Sequence, residues 1–200
     1  FRRDPLTFDM DGDGIETVGI DPNNPILFDH DGDSVKTATG WVAPDDAFLV
    51  LDRNGNGTID NGSELFGDST PLSAGGNAAD GFAALADLDS NGDGKVASGD
   101  TQFANLRLWR DLNQDGISQS GELYTLAQQN IASINVTKTE NNTLLPDGNV
   151  LADVGSYTRT DGTRGTVGDI GHLGDVDLTE NTFYSQFTDT VPLTPEAQLL

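Results

Sequence analysis

The sequence contains no cysteine, only two histidines and only ten lysines and arginines among 200 residues. Without thiols there are no disulfides, no thiol nucleophile and no thiolate metal site, although this leaves the compartment open. With His30 and His172 as the sole imidazoles, no Ser-His-Asp or Cys-His set is available. The few bases face 33 acids, and the formal charge of −23 excludes non-specific nucleic-acid binding and attachment to an anionic membrane surface. No apolar run is long enough to span a bilayer, and Phe1-Arg2-Arg3 carries no signal-peptide pattern. That start reads as the edge of a piece cut from a longer chain.

Such a charge fits either an acidic disordered segment or a protein that collects multivalent cations. The apolar residues decide for the second, because they come in patterned blocks such as Phe82–Ala86 and Phe103–Trp109. Ile26–Phe28 and Ala47–Leu51 read as strands that run straight into acidic loops, and Pro71–Asn77 as a polar connection. Phe82, Leu85 and Leu88 predict a helix over 78–88; Phe103, Leu106 and Trp109 predict another over 101–110, and 121–129 a third. Beyond Asn130 the stretches 131–137, 150–160 and 165–178 alternate as strands do, with a turn at Thr160–Thr163 and a tail over 190–200. The expected fold class is α+β: EF-hand-like loops with short helices over about 78–130, packed with β-hairpins from the N- and C-terminal parts.

The acids themselves carry a repeat. Asp-x-[Asp/Asn]-x-[Asp/Asn] begins at Asp9, Asp29, Asp52, Asp89 and Asp111, with glycine at position 6 in four cases (Gly14, Gly57, Gly94, Gly116) and Ser34 in the second. This is the front half of an EF-hand loop, in which oxygens at positions 1, 3 and 5 converge on one cation and glycine allows the sharp turn. Two loops are complete. Asp89, Asn91, Asp93, the Lys95 carbonyl and Asp100 form one, with Val96 apolar at position 8; Asp111, Asn113, Asp115, the Ile117 carbonyl, Gln119 and Glu122 form the other, with Ser118 at position 8. Asp52, Asn54, Asn56, Thr58 and Asp60 form a variant loop whose Glu64 stands at position 13. Asp9, Asp11 and Asp13 need Glu16 or Asp21 to complete them; Asp29, Asp31 and Asp33 meet Gly40 at position 12 and would draw on Asp45 or Asp46. The implied cofactor is Ca²⁺, several ions of it, since a hard cation taking six to eight oxygens suits these donors. Four or five ions bring roughly eight to ten positive charges, so folding is expected to be coupled to binding. The Asn-rich loops suit weak extracellular sites of about 10⁻⁴–10⁻³ M.

Just ahead of the first loop stands Asp4-Pro5; a second such dipeptide, Asp21-Pro22, shows that the pair alone decides nothing. An aspartyl carboxylate can attack its own main-chain carbonyl, giving a five-membered anhydride and releasing the proline nitrogen, at high effective molarity. The run Asp4–Thr17 resembles the start of the calcium-dependent self-processing module of repeat-in-toxin (RTX) proteins of the FrpC type. So do Phe28–Asp33, Thr37–Val42, Leu51–Gly57, Glu64–Asp68, Gly81–Lys95, Leu108–Leu123 and Gly155–Gly162. The resemblance implies a clip-and-link reaction: calcium folds the module, Asp4-Pro5 breaks with Asp4 supplying both carboxylate and carbonyl, and the aspartyl group joins a lysine amine as an isopeptide. It also implies type I secretion to the outside of the cell. The division expected is a flank over 1–4 and a single module over 5–200, made of a β-rich lobe (5–74), paired EF-hand-like helices (75–130), a β-rich part (131–190) and a tail (191–200). Partners are calcium and a lysine of another molecule, with no nucleic acid, no membrane insertion by this segment, and a monomeric chain. His30 and His172 are expected at the surface, and Trp41 and Trp109 in the core. The competing reading is a purely structural calcium module, one that stiffens a secreted adhesin or toxin or docks a partner.

Overall fold

The computed structural model describes residues 2–160 and 172–188. The tail over 190–200, most of the turn at Thr160–Thr163, the first part of the 165–178 stretch and the side chain of His172 lie outside it. The chain forms β1 (Arg2–Arg3), β2 (Leu6–Phe8), β3 (Thr17–Val18), β4 (Ile26–Phe28), β5 (Val35–Thr39), β6 (Trp41–Val42) and β7 (Ala47–Val50). After α1 (Gly81–Ala86) come β8 (Lys95–Ala97), β9 (Arg107–Trp109), β10 (Leu123–Thr125), β11 (Ile131–Asn135), β12 (Thr139–Leu144), β13 (Val150–Arg159) and β14 (His172–Phe187). Strands β10-β9-β7-β2-β14-β13-β11-β8 follow one another in a single sheet, with β12 on β13 and β4–β5 on the far half of β14.

The architecture is mostly β-sheet, which overturns the expected α+β fold with paired EF-hand-like helices. Among the described residues the only α-helix is α1, capped by Asp80, whose Oδ1 accepts the Ala83 N–H at 2.7 Å. The stretch 101–110 is a 3₁₀ turn (Phe103–Asn105) followed by β9, and 121–129 contains β10. Neighbours Leu108 and Trp109 are both fully buried yet enter different clusters. Adjacent residues point to opposite faces in a strand and not in a helix. The three-residue spacing that resembled a helical face comes from a turn running into a strand.

The same alternation sets the core. In β7, Ala47 and Leu49 join Leu6, Phe8, Phe82, Leu108 and Tyr157 on one face, while Phe48 and Val50 join Phe28, Trp41, Trp109 and Leu178 on the other. The second cluster centres on Trp41, whose ring lies 4.8 Å from Phe48, 5.3 Å from Phe28 and 5.4 Å from Trp109. Both tryptophans are core residues, as expected. Replacing Trp109 with Ala removes a fully buried ring and should lower the unfolding free energy by about 3–5 kcal/mol, read by urea titration in the presence of divalent cation.

Candidate cation loops and the Asp4–Pro5 site

In each loop the first aspartate organises the turn by accepting main-chain N–H groups. Asp52 takes those of Gly55 (2.7 Å), Asn56 (3.2 Å) and Gly57 (2.8 Å). Asp89 takes Gly92, Asp93 and Gly94; Asp111 takes Asp115 and Gly116; Asp29 takes Gly32, Asp33 and Ser34; Asp9 takes Gly12. Ser34 adopts φ +70° where the other loops have glycine, so the second loop makes the same turn against a steric penalty. The side chains at positions 3 and 5 (Asp11 and Asp13, Asp31 and Asp33, Asn54 and Asn56, Asn91 and Asp93, Asn113 and Asp115) are exposed. Lys95 and Ile117 also expose their side chains, leaving main-chain oxygens as their contribution.

A second carboxylate closes four of the loops in one repeated way. Asp100 accepts the N–H of Ser90 (2.9 Å) and of Ala97 (2.8 Å); Glu122 accepts those of Leu112 (2.9 Å) and Gln119 (3.1 Å). Glu64 accepts Arg53 (3.0 Å) and Asp60 (2.8 Å), which makes it the equivalent of Asp100 and Glu122 despite its extra residue. Asp60 lies outside that role and is held instead by Asn54, Asn56 and Thr58. In the first loop the closing acid is Asp46, which accepts the N–H of Met10 (3.0 Å) and Glu16 (2.9 Å). Oxygens of Asp9, Asp11 and Asp46 lie within 4.8 Å of one another. Asp46 therefore serves the first loop and not the second, and Asp21 is exposed and bound to Asn23. Nothing in local spacing marks Asp46, because a turn between distant strands delivers it.

These residues fit a hard cation. Glu16 Oε2 and Asp45 Oδ1 are buried with no partner among the described residues, a costly arrangement unless a positive charge is supplied. Burial, aided by Asp13 and Asp45, pushes Glu16 up to about 7. Burial likewise pushes Asp46 up to about 8, although main-chain N–H groups oppose it. The second loop brings Asp29, Asp31 and Asp33 within 4.8 Å but shows no closing acid among the described residues. Ile59 and Ser118, both at position 8 of their loops, meet through an Ile59 N–H to Ser118 Oγ bond of 2.7 Å. Val96 pairs with Ile134 of β11 instead.

The Asp4–Pro5 bond interrupts what is otherwise one strand. Arg2 and Arg3 face Thr179 and Leu178 of β14, and Leu6 faces Asp175, in one unbroken register. Proline lacks the N–H to complete the ladder, yet Val176 N–H donates to the Pro5 carbonyl at 3.2 Å. Asp4 Oδ1 accepts the Asp68 N–H at 2.7 Å. Gly67 leaves no room for a side chain, because a Cβ there would stand 2.9 Å from the Asp4 carbonyl oxygen and 3.1 Å from its Oδ1. Burial raises the Asp4 carboxyl well above the usual range, and the Asp68 and Asp177 charges add to this. Arg3 alongside pairs with Asp31 (2.8 Å), Glu180 (3.2 Å) and Asp68 (3.8 Å), tying the second loop to the flank of the bond.

Asp21–Pro22 contrasts with this. Both residues are exposed, and Asp21 merely accepts the Asn23 N–H at 2.8 Å. His30, expected at the surface, is buried in the crevice beside Pro5. It packs on Phe28 and Trp41, and its Nε2 lies 3.0 Å from Thr39 Oγ1. Burial lowers it to about 3. It turns inward because the Gly62 N–H bonds the Asp29 carbonyl at 2.8 Å, clamping the loop against the sheet.

A profile of the SPM domain matches residues 6–172. The chain belongs to the SPM domain family. It is also 51% identical over 193 residues to the iron-regulated protein FrpA of Neisseria meningitidis serogroup C, an alignment covering 96% of this chain and 17% of that protein. This SPM domain thus spans only a small part of its relative's length. Its acidic loops are the features that could hold metal ions.

Two outcomes test the loop assignments. By calorimetric titration with a divalent cation, Glu64→Gln should lose one binding event, whereas Asp60→Asn should keep the number and weaken affinity. For the cation-free chain the raised carboxyls of Glu16 and Asp46 set the sign of the pH effect. They favour folding when protonated, so stability is greatest near pH 4 and falls as pH rises through about 7 and 8; chemical denaturation at several pH values measures this.

Proposed function

We propose that this SPM domain is a calcium-triggered, single-turnover self-processing module that cleaves its own Asp4–Pro5 bond, as its resemblance to the RTX modules implies. The observation that carries the reading is the contrast between the two Asp-Pro bonds. Asp21–Pro22 is an exposed turn, while Asp4–Pro5 is built into the sheet, with its carboxylate held by Asp68 and its carbonyl backed by Gly67.

Asp4 acts as its own nucleophile. Its side-chain carboxylate attacks its main-chain carbonyl carbon, the bond to the Pro5 nitrogen breaks, and a cyclic anhydride forms that water or an amine can open. The Asp68 N–H fixes one carboxylate oxygen, which limits the side-chain rotamers that would carry it away from the carbonyl. Gly67 and the buried Pro5 ring restrict access by bulk water. The loops at Asp9/Asp46, Asp52/Glu64, Asp89/Asp100 and Asp111/Glu122 would hold calcium, which when bound would supply the positive charge that lets these acids come together. Arg3, shared between Asp31 and the acids beside Asp4, links the state of the second loop to the position of the bond.

If the aspartyl group passes to an amine, Lys138 is an unsuitable acceptor. Its Nζ is bound by Asp153 (2.7 Å) and Asp80 (2.8 Å), and those bonds raise its pKa and keep it an ammonium ion. A lysine of another molecule fits better, in a secreted RTX protein. Mass spectrometry after addition of millimolar calcium tests the reading. The chain should split into a short piece ending at Asp4 and a remainder beginning at Pro5, with Asp21–Pro22 intact. Asp4→Ala should stay whole, and Gly67→Ala, which crowds the carbonyl, should slow the reaction by about tenfold or more. A wild-type chain that folds with calcium and never cleaves would leave a structural calcium module.

A further inference from the structure

Expulsion of the Pro5 nitrogen requires a proton, and β14 runs carboxyl groups alongside the bond. Asp175 of β14 stands opposite Leu6, and its neighbour Val176 bonds the Pro5 carbonyl. Directly opposed residues share a sheet face, as do residues two apart on one strand. Asp4, Leu6 and Asp175 therefore lie on one face, the side on which Leu6, Phe8 and Leu173 pack.

Asp175 is 1% exposed. Its Oδ2 accepts the Gly81 N–H at 3.0 Å, and its Oδ1 is buried with no partner among the described residues. A Cβ on Gly81 would come within 3.1 Å of that Oδ1 and 2.7 Å of the Phe66 carbonyl oxygen, so the surroundings are closed. The charged groups around it are Asp4 and Asp177 on its own face, Asp80 at the start of α1, and Asp153 on β13. Oxygens of Asp80 and Asp153 come within 4.8 Å of Asp175, but Lys138 stands between those two as their counter-charge. That ammonium balances Asp80 and Asp153, and it leaves Asp175 with acids as neighbours. Burial, then the Asp4 charge, raises the Asp175 carboxyl, so it is held neutral and protonated. Burial has the opposite consequence for His30, which lines the crevice at Pro5 together with Arg3 and Asp68: a buried imidazole is neutral by having lost its proton.

We propose that Asp175 gives its proton to the Pro5 nitrogen as the Asp4–Pro5 bond breaks. The inference rests on the self-cleavage reading above. An Asp4 side-chain oxygen bonds to the Asp4 carbonyl carbon, and the electrons of the C–N bond pass to nitrogen. Nitrogen takes the Asp175 proton, leaving a cyclic anhydride at Asp4, a secondary amine at Pro5 and a carboxylate at Asp175. Water opens the anhydride to two carboxyl groups, and Asp175 regains a proton from water. The productive state needs Asp4 ionised and Asp175 protonated, so the pair works with a single proton between them.

The test follows the calcium-triggered cleavage rate by mass spectrometry from pH 5 to pH 10, for wild type, Asp175→Asn and Asp175→Glu, with tryptophan fluorescence reporting folding. The wild-type rate should rise as Asp4 ionises and fall again on the alkaline side as Asp175 loses its proton. Asp175→Asn should fold with calcium, cleave about a hundredfold more slowly and lack the alkaline fall; Asp175→Glu should retain it. A wild-type rate that keeps rising to pH 10 overturns the proposal, whether or not Asp175→Asn folds. So does an Asp175→Asn chain that folds and cleaves at the wild-type rate, and that result leaves self-cleavage itself standing. A wild-type chain that stays whole defeats both readings.

Discussion

Negative charge held inside the protein is the constraint on which the rest of the structure depends. Asp9, Asp29, Asp46, Glu64, Asp100, Asp111 and Glu122 are all buried, in a chain with a formal charge of −23. Each is hydrogen-bonded to main-chain N–H groups, which satisfies its oxygens but neutralises nothing. A buried ionised carboxylate needs a counter-charge or a proton. In the first loop burial raises the carboxyls of Glu16 and Asp46, and a bound cation would supply the counter-charge there.

The sheet turns this local chemistry into a connected object. β7 follows Asp46, the closing acid of the first loop, and pairs with both β2 and β9, so the first loop and the Trp109 core share one element. Tyr157 donates its hydroxyl to the Asp9 carbonyl at 3.0 Å while its ring packs 5.0 Å from Phe8. β14 carries the flank, the Asp4–Pro5 bond and Asp175 along a single register. A loop that fails to form thus withdraws support from the strand that holds the bond.

The acidic loops were legible because a cation loop is a local device: donors at alternate positions and a glycine turn are written within a dozen residues. Glu64 was suggested as a ligand by its charge, and its bonds to Arg53 and Asp60 place it as Asp100 and Glu122 are placed in their own loops. The helices were misread because Phe103, Leu106 and Trp109 imitate a helical stripe, while pairing of Arg107–Trp109 with β7 and β10 makes a strand. His30 was misplaced for a related reason. Position 2 of a loop normally faces solvent, but here the main chain of Asp29 is bound to Gly62 and turns the ring inward.

By itself the sequence determined the donor types, the repeat that groups them, the core tryptophans and the presence of two Asp-Pro bonds. Only the tertiary structure decided which distant acid closes the first loop, that Asp4 rather than Asp21 is half-buried against Gly67 and Asp68, and that Asp175 faces the same side as Asp4. The division has one physical cause. Turn geometry and side-chain chemistry act over a few bonds, whereas burial and the meeting of two carboxyl groups depend on strand register between segments far apart in the chain.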